Sequence, residues 1–396
     1  MTSHPAFPYG RLAGYYFFYF AFIGAFSPYF GLYLQSIGFS ALDIGLLMSQ
    51  MQLMRVFGPN VWGWVVDRFG YRLPVIRLAG AVGLLGFISF FWLERLPEML
   101  LAMAVLAFFW SGALPLVEML TFDHLREEGG RYGPVRVWGS VGFIVAVLGT
   151  GFLLDEMAAV GVLWACTLVL AGLFALALSL PEAPLHPLSA EHAPIAAVLR
   201  QPQVLALMLA CTAMSTAHGG FYVFFSIHLS AHGYGKTLIG LLWSLGVLAE
   251  IGVFLWMPRL LRRFSLRAIL LLSFAATVPR FLLMGWAVDS LPAMLFVQML
   301  HGLTFGAYHA AAIAAVHRYF PASQRGRGQA LYSSLSFGAG GLLGALLSGL
   351  FWESWGAGWV FALAAAFGLC GFFLIWRWFA EAGPDTAKGK NLPENT

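Results

Sequence analysis

Seven ionisable side chains stand inside long apolar stretches of this chain: Arg55, Glu118, His218, Glu250, Arg280, His301 and His309. Together they could grip an anion and carry a proton. Arg280 follows Pro279 with no acid near it in sequence, and its planar guanidinium fork suits a carboxylate. Glu250 shares a helical face with Trp243 and Gly246, and a carboxylate held away from water can take up a proton. Glu118 shares a face with Ser111 and Pro115, Arg55 with Gln52 and Pro59, and His218 with Ser215 and Tyr222. Imidazole titrates near neutrality, so His301, His309 and Glu118 join Glu250 as candidate proton carriers. Gln298 lies one turn before His301, and Gln329, Tyr332, Ser333 and Ser336 form a polar stripe further on. The candidate substrate contacts are therefore Arg280, Arg55, His218, Gln298, Tyr222, Trp243, Gln329 and Tyr332. Each has a structural alternative: an Arg55–Glu250 or Arg280–Glu250 ion pair, or a histidine that merely packs. Charge at membrane depth costs on the order of 3 kcal/mol, which favours use over ornament.

The surroundings of these groups are those of a lipid-embedded protein. Hydrophobic residues make up 60% of the 396 and charged residues 10%, with a mean hydropathy of +0.79. Twelve apolar runs are long enough to cross about 30 Å of hydrocarbon, from residues 11–35 to residues 355–379. They lack strand alternation and carry small residues at helix-packing spacing, as in Gly139-x-x-Gly142 and Gly340-x-x-x-Gly344. The expected fold is an all-α membrane protein of twelve transmembrane helices.

Those helices fall into two copies of one unit. Ile44-Gly45-Leu46-Leu47, Ser49 and Leu53 recur 195 residues on as Ile239-Gly240-Leu241-Leu242, Ser244 and Leu248, and Gly38 recurs as Gly233. At the same offset Arg55 becomes Glu250. A repeat of half the chain predicts two pseudo-symmetric six-helix bundles about a central site. We expect bundles at residues 1–180 and 203–380, a proline-rich linker at 181–202 and a disordered tail at 381–396. Of the 22 basic residues, 18 fall on the side shared by both termini and two on the opposite side. Both termini are therefore expected in the cytoplasm, with the chain in a bacterial cytoplasmic (inner) membrane and its first helix retained. The net charge of +4 then reflects this bias and implies no nucleic-acid partner.

Gly63-Trp64-Val65-Val66-Asp67-Arg68-Phe69-Gly70-Tyr71-Arg72 fits the G-x-x-x-D-R-x-G-x-R signature found between helices 2 and 3 of the major facilitator superfamily, which the chain resembles over its whole length. Gly63 would permit close helix approach and Gly70 a tight turn. Asp67, Arg68 and Arg72 would form a charge latch between the bundles. The second copy, Arg262 to Arg267, lacks the aspartate and the glycine. The segments Tyr132 to Val141, Leu242 to Glu250 and Gln298 to His301 are similar to the bacterial 3-phenylpropionic acid transporter branch, related to lactose permease and nucleoside proton symporters. Glu118 departs, since an aspartate is expected there. The resemblance implies proton-coupled uptake of a small organic solute by alternating access, with an aromatic carboxylate as the first candidate. A sugar or nucleoside proton symporter and a proton-coupled efflux carrier for hydrophobic compounds are the alternatives.

Other chemistries lack their residues. No GxxxxGK[ST] loop is present and the HxxHH spacing of membrane metalloenzymes is missing, so neither nucleotide hydrolysis, a metal nor any cofactor is expected. The expected partners are a small-molecule substrate, protons and the lipid bilayer, with a monomer as the working unit.

Overall fold

The computed structural model describes residues 7–125, 132–183 and 195–379. Twelve long helices account for most of them: α1 (Tyr9–Ser36), α2 (Ala41–Phe69), α3 (Leu73–Phe91), α4 (Leu96–Leu125), α5 (Tyr132–Glu156), α6 (Gly161–Ser179), α7 (Pro202–Ala231), α8 (Lys236–Arg263), α9 (Leu266–Trp286), α10 (Leu291–Tyr319), α11 (Ala322–Trp355) and α12 (Ala357–Trp378). Eleven are long and apolar enough to cross a membrane. The exception, α2, is 29 residues long but carries Asp43, Gln50, Gln52, Arg55, Asn60 and Asp67. The linker expected at 181–202 includes a short helix, Ala196–Leu199. Half of that linker, residues 184–194, the tail at 381–396, and the loop basics Arg126 and Arg131 lie outside the described residues.

Outward faces are apolar, as lipid requires. Trp92, Leu85, Phe152, Leu168 and Leu255 are each at least 65% exposed, an arrangement that would aggregate in water. Inward faces hold the polar residues that a hydrocarbon solvent excludes. The chain is a multi-pass membrane protein.

Chain reversals repeat with the sequence. Gly38 and Gly233, at the same place in the two copies, both take left-handed backbone at φ 91° and 81°. Where the copies diverge in sequence, they diverge in structure. Gly70 closes α2 with φ 74° and donates its N–H to Val66, whereas Ser265 at the matching position starts α9 as an N-cap, its hydroxyl accepting from the Ala268 amide. Two helices are also less regular than a continuous apolar run suggests. Wide i→i+5 turns occupy Gly302–Ala307 of α10 and Ser334–Gly340 of α11. Glycines at 302, 306, 338 and 340 leave room for these turns, a feature common at functional sites.

The two halves meet along seams that start at one face. That face, opposite the termini, is called here the far face. On α2 and α11 the approach runs from Gly45, where an added Cβ would stand 3.0 Å from the Gly349 Cα, to Gly338, where one would stand 2.8 Å from Val56. On α5 and α8 the tightest approaches are Gly151 to Lys236 and Gly240 to Val147. The Tyr29 hydroxyl of α1 donates to the carbonyls of Val147, at 2.9 Å, and Lys236, at 3.1 Å, tying both helices to α1. Towards the termini the same helices line a cavity instead: Arg136 and Ser140 on α5, Glu250 and Phe254 on α8. The halves form a wedge, closed at the far face.

Within the second half, α7 and α11 cross at Gly219 and Gly344. A Cβ on Gly219 would lie 2.6 Å from the Ala345 nitrogen, and backbone cannot yield as a side chain can. Gly219→Val should therefore lower the thermal midpoint in detergent by an amount corresponding to about 1 to 3 kcal/mol. Gly86→Ala, at a helical position with open space around it, should not, as parallel melting curves would show.

Candidate functional site

The wedge encloses a cavity of about 630 Å³ to which both halves contribute, a size suited to a small organic solute. Its first-half wall is aromatic and cationic. Tyr19 stacks on Trp110 with ring centroids 4.1 Å apart, and Phe22 leans on the same indole at 4.5 Å. From α2, the Arg55 guanidinium reaches only the Gln52 amide, at 3.4 Å. From α5, the Arg136 guanidinium lies 4.0 Å over the Phe20 ring, a contact that holds a cation without neutralising it. Neither arginine makes an ion pair among the described residues. Glu118 on α4 accepts a hydrogen bond from the Tyr132 hydroxyl at 3.1 Å.

The second-half wall carries a carboxylate and imidazoles. Glu250 on α8 and His301 on α10 stand 3.9 Å apart, Oε2 to Nε2. Glu250 keeps part of its side chain open to the cavity, while His301 is buried. His218 on α7 lies between two fixed partners. Its Nδ1 is 2.8 Å from the Met214 carbonyl, which can only accept, so that nitrogen carries the proton. Its Nε2 is then an acceptor and meets the Arg280 guanidinium at 2.8 Å. The neutral ring is locked in one tautomer by a cation. Arg280 is fully buried on α9 and also donates to the Val297 carbonyl and the Thr304 hydroxyl, each at 3.1 Å. The wide turn of α10 presents that threonine.

This geometry moves several residues from their expected roles. Arg280 does not line the cavity; it stands behind His218 and against the Phe221 ring, at 4.6 Å. It therefore cannot touch a solute held in the cavity in this conformation, and its partner is His218 rather than Glu250. Arg55 and Glu250 both face the cavity, from opposite halves, without pairing. Gln298, Tyr222, Trp243, His218, His301 and His309 are all on the wall. Tyr332 is behind it, 2.9 Å from the His309 Nδ1. Gln329 is exposed near the terminal face, beside His317 at 3.4 Å. The helix that carries the stripe begins there, so the stripe's first turn lies beyond the cavity.

The expected latch is spread apart at the open end of the wedge. Arg72 is buried and pairs with Asp123 at the end of α4, inside its own half. Asp67 and Arg68 are exposed and make no ion pair among the described residues, and Gly63 has no neighbour within 4 Å of where a Cβ would sit. Gly70 does make the tight turn.

Arg136 is not among the candidates named from the sequence, because a basic residue near a helix start reads as a charge that sets orientation. Its spacing held the signal. With α5 starting at Tyr132, Arg136, Ser140 and Phe143 share one face, and all three line the cavity.

Two helical halves around a polar cavity that opens on one face define a secondary transporter, a carrier that works by moving its halves. The chain belongs to the MFS_1 like family, which it matches over residues 9–363. It is 32% identical to the probable 3-phenylpropionic acid transporter of Escherichia coli (strain K12), across 88% of this chain and 93% of that one. It is 30% identical to the maltose permease of Geobacillus stearothermophilus, across 88% of each. Among solved structures, the nucleoside transporter NupG superposes with a TM-score of 0.83 at 18% identity, covering 94% of this chain and 99% of the other. The protein is a transporter of small molecules and not an enzyme.

The Arg280–His218 contact should be energetically coupled. Removing the acceptor leaves a buried guanidinium short of a partner, so His218→Phe should cost about 2 to 3 kcal/mol of stability. Arg280→Met in the same background should recover part of that loss. A double-mutant cycle on thermal stability in detergent should give a coupling of about 1 to 3 kcal/mol, and additivity would show the contact to be idle.

Proposed function

We propose that this chain is a proton-coupled symporter that imports a small aromatic carboxylate across a bacterial cytoplasmic membrane, with both termini in the cytoplasm. The observation that carries the reading is the pair of guanidinium groups, Arg55 and Arg136, open to an aromatic cavity and in no ion pair among the described residues. A carboxylate supplies the charge they lack, and the Tyr19–Trp110 stack and Tyr222 offer faces for a ring. Arg280, held behind the wall, positions His218 instead of gripping the solute. The name of the Escherichia coli relative agrees with this chemistry.

Proton coupling is assigned to Glu250 with His301. Glu250 is the carboxylate on the second-half wall, facing the two arginines across the cavity. When it is charged, the cavity holds an anion that repels the substrate's own. When it takes a proton, that repulsion ends and the arginines are left to the substrate. Solute and proton thus favour each other's binding, which symport requires. Glu118 and His309 are secondary proton sites. Residues 1–180 and 203–380 act as two bundles rocking about the far-face seams, and one chain contains the whole path, so a monomer suffices.

A second reading, a sugar or nucleoside symporter, has one observation in its favour. Gln298 is completely buried in the wall with neither amide atom bonded, and a substrate hydroxyl would satisfy it. The maltose permease relative points the same way.

Uptake of labelled 3-phenylpropionate into proteoliposomes separates the two. An inward proton gradient should drive its accumulation, while maltose and nucleosides should not compete; gradient-driven accumulation of either of those would establish the second reading. Arg55→Ala and Arg136→Ala should each lower uptake by about 30-fold or more, the worth of a hydrogen bond to a charged group. Glu250→Gln should keep solute exchange and lose uphill accumulation. Uphill accumulation at the unaltered rate by Glu250→Gln would place the coupling elsewhere.

A further inference from the structure

The far face is closed by more than glycine packing. At the end of α5, the Asp155 carboxylate accepts hydrogen bonds from the backbone N–H groups of Lys236, at 2.6 Å, and Thr237, at 2.9 Å. These are the first two residues of α8, in the other half of the molecule. At the end of α11, the Glu353 carboxylate accepts from the backbone N–H of Ala41, at 2.8 Å, the first residue of α2. Each carboxylate thus closes the N-terminus of a helix that belongs to the opposite half.

The two arrangements are copies. Ala41 and Lys236 are related by the 195-residue repeat, as are Gly45 and Gly240. In each seam the carboxylate stands four residues beyond the glycine on its own helix, Gly151 then Asp155 and Gly349 then Glu353. The helix it meets begins four residues before that helix's seam glycine.

We propose that Asp155 and Glu353 are a pair of releasable caps that hold the far face shut, and that the far face opens only when both helix N-termini are uncapped. The physical basis is that orphan N–H groups at a helix start, and the partial positive charge there, draw a carboxylate. In most helices that group is local and survives any rigid-body motion. Here it comes from the other half, so the same motion that opens the face must break it. The caps differ in weight. The N-cap position of α8 is Gly235, without a side chain to offer, so Asp155 supplies the side-chain cap across the seam. The start of α2 has its own capping box, Ser40 with Asp43, and loses less when Glu353 leaves. This proposal rests on the alternating-access reading above, because it concerns the state in which the far face is open.

The test is accessibility. In a background with Cys166, Cys211 and Cys370 replaced, a single cysteine at the cavity residue Met51 is labelled with a membrane-impermeant maleimide applied from the far face of oriented vesicles. Asp155→Ala should raise the labelling rate about fivefold, the usual worth of a helix cap. Glu353→Ala should raise it by less, and the double variant by more than either. Asp289→Ala, at an exposed far-face acid outside both seams, should leave it unchanged. If Asp155→Ala fails to fold, Asp155→Asn decides, since it keeps an accepting oxygen and should give a smaller rise. Unchanged labelling in folded Asp155 variants, or an equal rise in Asp289→Ala, overturns the caps. Solute uptake by the unaltered protein is measured in parallel; its failure counts against the transport reading and leaves the labelling result standing.

Discussion

The cost of charge in hydrocarbon organises this molecule. A guanidinium or carboxylate at membrane depth costs about 3 kcal/mol or more unless water or a partner reaches it. The chain answers in two ways. Arg280 is buried outright and must be given hydrogen bonds, which come from His218, Thr304 and the Val297 carbonyl. Arg55, Arg136, Glu118 and Glu250 are instead left on a cavity, where water can hydrate them when no solute is present. The cavity in turn requires the helices to part. Helices that part on one side must be held on the other, which is why small residues gather at the far-face seams.

Duplication explains how a symmetrical frame came to hold an asymmetrical site. Arg55 and Glu250 occupy one position in the two copies, so a single frame presents a cation from one half and an anion from the other. The structure keeps them apart. An ion pair there would have satisfied both groups and left nothing to bind a solute or a proton. The unpaired arrangement keeps both charges on the cavity at a cost that an ion pair would have removed.

Much of the fold was legible because lipid imposes a strong rule. A run of about 20 apolar residues has few fates. The recurrence of Gly38 as Gly233 is visible in the sequence, and only the structure shows that both close left-handed turns. What escaped reading was relative depth and second-layer position. Sequence spacing put Arg280 on a helix but could not tell a wall residue from one behind the wall, because that depends on how α9 is rotated against α7 and α10. Spacing likewise groups Gln329 with Tyr332 and Ser333 but does not show that its helix begins at the terminal face, where Gln329 is exposed. Arg136 was passed over because a basic residue near a helix end serves orientation in most membrane proteins, and only the true start of α5 shows that it faces inward. The wide turns of α10 and α11 have no apolar periodicity to reveal them. They alter which side chains share a face, and so place Thr304 against Arg280.

The two faces of the wedge are closed by different chemistry, and the repeat shows how they diverged. At the far face both copies keep a seam glycine and a carboxylate facing a foreign helix start, although only α2 has a capping box of its own. At the terminal face the copies have separated. Gly70 and Asp67 remain in the first loop, whereas the second has Ser265 and arginines, and Arg72 is engaged with Asp123 in its own half. Asp67 and Arg68 stand in solvent at the open end, and the Arg262 to Arg267 loop has no acid to match them. A carrier whose two gates are unlike has unequal resting populations of its two states even without a gradient. The wedge open towards the termini is the state in which the far-face contacts are made, and a solute can shift its balance with any other state only by the difference in its contacts between the two.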